Sequence, residues 1–154
     1  MSPVVVRRAS VDDADAVADV YLASFHATYD FPVAHTDEQI RRWIHDVVVP
    51  DRETWVALDE DGGAVVGLMV VGPDELDQLY VAPDRLGSGI GRRLLETAKE
   101  RSPNGLTLST FAVNARARRF YEKNGFILDG SGDGSANEEG QADVRYVWRP
   151  ASDG

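Results

Sequence analysis

LDQLYVAPDRLGSGIGRRLLE, residues 76–96, passes from a strand through a glycine-rich turn into a helix. LDQLYVAP (76–83) is an apolar-rich run closed by a proline, which reads as a strand. From Ser88 onward Ile90, Leu94, Leu95 and Ala98 share one helical face, Arg92, Arg93 and Glu96 lie elsewhere, and the pattern stops before Pro103. Gly87, Gly89 and Gly91 stand between the two elements. Glycines let a backbone approach a ligand closely, and the free amides and dipole of a helix N-terminus attract an anion such as a pyrophosphate. Arg85, Arg92 and Arg93 add positive charge, and no acid stands between Arg85 and Leu95. The segment therefore predicts an anion site. It fits two common nucleotide loops poorly. A dinucleotide fingerprint needs a glycine at position 92, where arginine stands, and a Walker loop needs Lys followed by Ser or Thr, which Gly91 lacks.

Upstream of this segment, VVVRRAS reads as a short strand. Ser10, Asp12 and Asp13 then mark the start of a helix striped by Ala14, Val17, Ala18, Tyr21, Leu22 and Phe25. After a break at Phe31-Pro32, Thr36 and Glu38 open a second helix with Ile40, Trp43, Ile44, Val47 and Val48 on one side, ending at Pro50. TWVALDE (54–60), AVVGLMVVG (64–72) and LDQLYVAP, joined by the turns DGG and PDE, predict an antiparallel meander. Downstream, LTLSTFAV (106–113) is a fifth strand, and Ala117, Phe120 and Tyr121 mark a short helix closed by Asn124-Gly125. FILDG (126–130) and VRYVWR (144–149) form a last strand pair around SGDGSANEEGQA (131–142), which reads as a long mobile surface loop. This order predicts an α+β fold: a mixed central sheet of about seven strands flanked by about four helices, in one three-layer domain over residues 1–154. The helix after Gly91 makes a parallel crossover between its flanking strands.

The chain has 154 residues, no cysteine, three histidines and a formal net charge of −10. Its length suits one domain with a core of its own. Without cysteine there is no disulfide framework, thiolate metal site or cysteine nucleophile, and no metal is expected. MSPVVVRRAS falls short of a signal peptide and no later run approaches a membrane span, so a cytoplasmic protein without a membrane partner is expected. The acid surplus argues against nucleic acid and mildly favours a cationic ligand.

Two segments carry a resemblance. LDQLYVAPDRLGSGIGRRLLE resembles the signature of the GNAT superfamily of N-acetyltransferases, whose Q/R-x-x-G-x-G/A turn binds the pyrophosphate of coenzyme A. Gly89 and Gly91 match the last two motif glycines, while the Q/R position holds Leu86, with Arg85 one residue early. VNARARRFYEKNGF (113–126) is similar to the family's N-x-x-A-x-x-F-Y-x-x-x-G-F segment at Asn114, Ala117, Phe120, Tyr121, Gly125 and Phe126.

The resemblance implies a GNAT-like fold and transfer of an acetyl group from acetyl-CoA to a primary amine, such as a small molecule, an amino acid derivative or a peptide N-terminus. The backbone of Leu79, Tyr80 and Val81 would pair with the pantetheine arm, and Gly87, Ser88, Gly89, Ile90, Gly91 and Arg92 would hold the pyrophosphate. Asn114 would bond the pantetheine region, and Tyr121 would protonate the leaving thiolate as general acid. Glu75 and Asp77, placed on one face by strand alternation, are candidate bases, as is His26. Phe25, His26, Tyr29, Phe31 and Trp43 are candidate walls of the acceptor site, and Glu138-Glu139 a candidate collector of cations. The competing readings are a CoA-binding sensor without turnover, an acyltransferase for a longer acyl-CoA and, poorly supported, a nucleotide-binding fold. A monomer or a homodimer suits any of these.

Overall fold

The computed structural model describes residues 4–30, 34–59 and 63–150. Seven strands, β1 (Val4–Arg8), β2 (Glu53–Asp59), β3 (Val65–Gly72), β4 (Glu75–Val81), β5 (Leu106–Phe111), β6 (Ile127–Gly132) and β7 (Asp143–Trp148), form one sheet in the order β1-β2-β3-β4-β5-β7-β6. Every neighbouring pair is antiparallel except β4 and β5, which are parallel. The predicted meander is β2-β3-β4. Four helical bodies cover the sheet: α1 (Ala14–Thr28), a run over 37–51 named α2, α3 (Ile90–Arg101) and α4 (Ala115–Lys123). α3 makes the parallel crossover, as its place between two strands requires.

Apolar residues on the two faces of the sheet build two cores. On one face Val17, Ala18, Ile44 and Val48 from α1 and α2 pack against Val56, Leu68 and Val70. On the other, Ile90, Leu94, Leu95 and Ala98 from α3 meet Met69, Leu76, Leu106, Leu108 and Tyr146. This is the expected three-layer order, with each fully buried aliphatic side chain contributing about 1.5–3 kcal/mol. Gly67 permits the close approach of α3, since a Cβ there would lie 3.0 Å from Ile90 Cγ2 and 3.1 Å from Leu94 Cδ1.

Three local expectations change. A 3₁₀ turn (Val11–Asp13) precedes α1, and Asp13 binds the preceding segment rather than serving only as a helix-start residue. Its carboxylate accepts from Arg7 Nη1 at 2.7 Å, Arg7 Nη2 at 3.0 Å and Ser10 N at 2.7 Å. The second helix does not end at Pro50. After Asp37–Trp43 it widens into a π-helical stretch, Ile44–Val48, and continues as Val49–Asp51. Val49 N reaches back to Ile44 O, and this wider register accommodates a proline that cannot donate. Finally, β6 extends to Gly132, so the connection to β7 is shorter than the composition of 131–142 suggested. Within that connection Asn137 is bonded to Gln141 in both directions, at 2.7 and 3.2 Å. The expected break at Phe31-Pro32 and the first two residues of the DGG turn lie outside the described residues.

The feature that positions the site is the separation of β4 from β5. They pair only at Glu75↔Thr107, where Thr107 N donates to Asp74 O at 2.9 Å. Beyond that point the strands splay, leaving the edge of β4 through Val81 without a strand partner on that side. Opposite, β4 follows β3 with one irregularity: Val71 pairs with Leu76 and Val70 with Gln78, so Asp77 is an extra residue in a bulge.

Candidate active site

The wedge between β4 and β5 opens into a cleft of about 820 Å³. Leu79, Tyr80 and Val81 form one wall, the turn and first residues of α3 a second, and the start of α4 a third. Gly87 and Gly89 have φ of +80° and +89°, a left-handed backbone that suits glycine. Gly89 is the residue from which α3 departs. Gly91 serves packing instead, because a Cβ there would lie 3.3 Å from Phe120 Cζ. α4 starts beside α3: Asn114 caps it, its Oδ1 accepting from Ala117 N at 3.0 Å. Neither helix has an acid in its first turn. Arg85, Arg92, Arg116 and Lys123 line the cleft, and among the described lining residues no acidic side chain does. Two helix N-termini open on a cleft whose described lining holds four cations and no acid, and that is the chemistry of a polyanion site.

The arginines differ in availability. Arg85 is ion-paired with Asp59, and Arg92 lies 3.6 Å from Glu96. Arg93, expected to add charge, is not among the lining residues. Arg116, which motif reading did not single out, is exposed.

Four of the five tyrosines gather where the strands part. Tyr121 is 7 % exposed, lines the cleft and has no hydrogen-bond partner among the described residues. Burial raises its pKa, with a smaller effect of Tyr29. The Tyr29 hydroxyl accepts from Asn114 Nδ2 at 2.9 Å; burial raises its pKa also, against hydrogen bonds to Asn114 and Thr110. Tyr80 is held far above its ordinary value by burial and donates to Tyr21, their rings 4.7 Å apart. Asn114 thus joins helix cap and cleft, binding α4 with one side-chain atom and Tyr29 with the other. Neither the tyrosine cluster nor the Tyr21–Tyr80 bond is visible in helical or strand periodicity, because the cluster's members come from three separate parts of the chain: α1 with its C-cap Tyr29, β4 and α4.

The remaining candidates fall elsewhere. Glu75 and Asp77 line a separate cavity of about 570 Å³ with Asp51, Arg52, Glu53 and Arg101, toward the start of β4. Asp77 sits in the bulge and pairs with Arg52 at 3.2 Å, so simple alternation does not describe its position. His26 is turned to Asp37 at 2.8 Å and does not line the cleft. Phe25 is buried and stacks between Tyr21, at 6.2 Å, and Tyr29, at 4.9 Å. Trp43 packs with the α1–α2 core under the Arg52 guanidinium. Phe31 lies outside the described residues. Glu138 meets His35 at 2.7 Å, joining the β6–β7 connection to the segment before α2, while the charge of Glu139 reaches Tyr21 along with that of Asp77.

A family profile described as "Acetyltransferase (GNAT) domain" matches residues 50–128, which include the splayed strand, the glycine turn and α4. The chain belongs to the GNAT acetyltransferases. Among GNAT proteins it is similar to the peptidyl-lysine N-acetyltransferases YjaB of Salmonella typhimurium, 31 % identical over 81 % of this chain and 84 % of the relative, and of Escherichia coli, 32 % identical over 81 % and 83 %. The solution structure of the apo form of Escherichia coli YjaB superposes with a TM-score of 0.80 at 26 % identity, covering 97 % of this chain and 99 % of that one. The mixed seven-stranded sheet with four helices is therefore the GNAT architecture, and N-acetyl transfer is the activity its relatives carry. No helix among the described residues is long and apolar enough to cross a membrane.

Proposed function

We propose that the chain transfers the acetyl group of acetyl-CoA to the side-chain amine of a lysine in a peptide or protein, both substrates being bound together. The observation that carries this reading is the cleft itself: an unpaired strand edge, two helix N-termini, four cations without a lining acid among the described residues, and the hydroxyl of a largely buried tyrosine at its wall. These residues fit coenzyme A. Its acetyl thioester supplies an activated carbonyl. Main-chain groups of Leu79 to Val81 hold the pantetheine arm as a further strand would, and a free amide of that edge polarises the carbonyl. The amides at Gly87 to Arg92 hold the pyrophosphate, and Asn114 steadies the arm through its link to Tyr29.

Tyr121 supplies the proton to the departing sulfur as the carbon–sulfur bond breaks. Burial keeps this phenol protonated at any working pH; because the same burial disfavours the phenolate left behind, the phenol gives its proton to sulfur only as water returns to it the proton released by the acylated amine. Among the described residues no carboxylate lines the cleft, and Glu75 and Asp77 belong to the separate cavity at the other end of β4, so the amine proton leaves to water. The lysine acceptor is supported by the activity named for the YjaB relatives.

The test follows thiol release from acetyl-CoA and butyryl-CoA with lysine peptides, peptides bearing only a free N-terminus, and small amines, with mass spectrometry to locate the acetyl group. Acetylation of internal lysines is expected. Tight CoA binding without turnover across the panel would make the domain a sensor. Modification of N-termini alone would overturn the acceptor assignment, and preference for the longer donor the assignment of acetyl.

A further inference from the structure

We infer that Arg116, at the start of α4, supplies the cationic contact to the CoA pyrophosphate that position 86, a leucine here, does not. The inference rests on the CoA reading above and adds a residue to it. Leu86 lines the cleft with its side chain 46 % exposed, and Val113, across the mouth, is 65 % exposed. The neighbouring Arg85 has its guanidinium committed to Asp59. The glycine turn thus offers main-chain amides, with Arg85 held by Asp59 and Arg92, one residue past Gly91, drawn toward Glu96 at 3.6 Å.

Arg116 reaches that turn from the opposite wall. A Cβ built on Gly87 would lie 3.8 Å from its terminal nitrogen Nη2, so the guanidinium hangs over the same backbone that the pyrophosphate reading needs. The placement is costly without an anion. Arg116 follows the Asn114 cap by two residues, in the first turn of α4, where the positive end of the helix dipole disfavours a cation. No acid stands in that turn, and among the described residues Arg116 has no hydrogen-bond or ion-pair partner. A chain with ten excess negative charges leaves this arginine unpaired, facing two helix N-termini. A phosphate between α3 and α4 resolves all three unfavourable terms at once: the amides gain an acceptor, both dipoles a counter-charge, and the planar guanidinium a two-point partner.

The experiment measures affinity directly, by calorimetric titration of CoA and of dephospho-CoA, which keeps the pyrophosphate and lacks the 3′-phosphate. Arg116→Gln is expected to weaken both ligands by a similar factor, roughly tenfold at low salt, the ordinary scale for one charge-assisted contact. Leu86→Arg in the Arg116→Gln background is expected to recover most of that loss, and to add less to the wild type, because both side chains would address one phosphate group. Equal affinity of wild type and Arg116→Gln overturns the inference. So does loss confined to CoA, which would assign Arg116 to the 3′-phosphate, and so does failure of Leu86→Arg to rescue a folded variant. Absence of CoA binding in the wild type is a separate result, and it removes the functional reading on which the inference stands.

Discussion

Replacing Tyr121 by phenylalanine separates chemistry from packing, because its ring is buried while its hydroxyl, without a protein partner among the described residues, meets the cleft. The ring packs with Phe120, Phe126 and Tyr146 at centroid distances of 5.3, 5.6 and 6.3 Å, and phenylalanine keeps those contacts. The deleted hydroxyl has no protein hydrogen bond to lose among the described residues, so Tyr121→Phe is expected to change folding stability by no more than about 1 kcal/mol in either direction. For a domain of this size that is a Tm shift of roughly 2–4 °C or less. Loss of a proton donor, by contrast, costs about 10²–10⁴ in kcat. Tyr146→Phe is the control. Its hydroxyl donates to Glu122 at 2.6 Å and accepts from Arg118 at 3.2 Å; losing both bonds should lower Tm more than Tyr121→Phe does and leave kcat nearly intact. Thermal denaturation and thiol release at saturating acetyl-CoA measure both quantities. The wild-type rate should also show no descending limb from Tyr121 below pH 10, since its pKa lies above the ordinary phenol value of 10.0. Full kcat in Tyr121→Phe would refute the proposed acid, and a large loss of stability there would show a structural role for the hydroxyl.

Asp13→Asn should remove an acid-sensitive component of stability. Arg7 holds the Asp13 carboxyl at about 2 against 3.8, so the pair contributes fully above pH of about 4 and is lost as pH falls through about 2. The contribution is on the order of 1–2 kcal/mol once the 44 % exposure of Arg7 is allowed for, read as the difference between wild-type and variant denaturation curves at pH 2 and pH 6. Gly67→Ala should cost about 1–3 kcal/mol by forcing Ile90 and Leu94 away from β3, measured by urea denaturation. If the β6–β7 connection selects cationic peptides, Glu138→Gln with Glu139→Gln should raise KM for a lysine flanked by basic residues about two- to fivefold at low salt, an effect that 0.5 M salt removes; unchanged KM would dissociate these acids from acceptor binding.

Much of the fold was legible because its signals are local. The strand, glycine turn and helix of 76–96 set the crossover, the apolar stripes of α1, α2 and α3 set the faces that pack, and Asn114 announced both a cap and a cleft residue. What stayed hidden depends on register between distant segments. Alternation placed Glu75 and Asp77 together, but no pattern in the sequence marks the extra residue that pairing with β3 creates at Asp77. The Tyr21–Tyr80 bond, the reach of Glu139 to Tyr21 and the approach of Arg116 to Gly87 join residues far apart in the chain. A weak signal for Arg116 did exist, since a cation in the first turn of a capped helix runs against the dipole and asks what compensates it.

Charge shows why the local reading outweighs the global one. A net charge of −10, taken over the whole chain, favours a cationic ligand and disfavours a phosphate-rich one. The folded chain resolves the conflict by separating the signs. Arg85, Arg92, Arg116 and Lys123 face the wedge between β4 and β5, whereas Glu139 and Asp77 act on Tyr21, toward the α1–α2 side. At physiological salt a charge is felt over about 8 Å, so the cations lining the wedge, rather than the net charge, set the sign that an arriving phosphate meets. Under the proposed chemistry this matters for turnover as well as binding. The two substrates carry opposite charge and must meet at one carbonyl, so the cations that draw the donor into the wedge leave the amine to react in its neutral form or to approach from outside their reach.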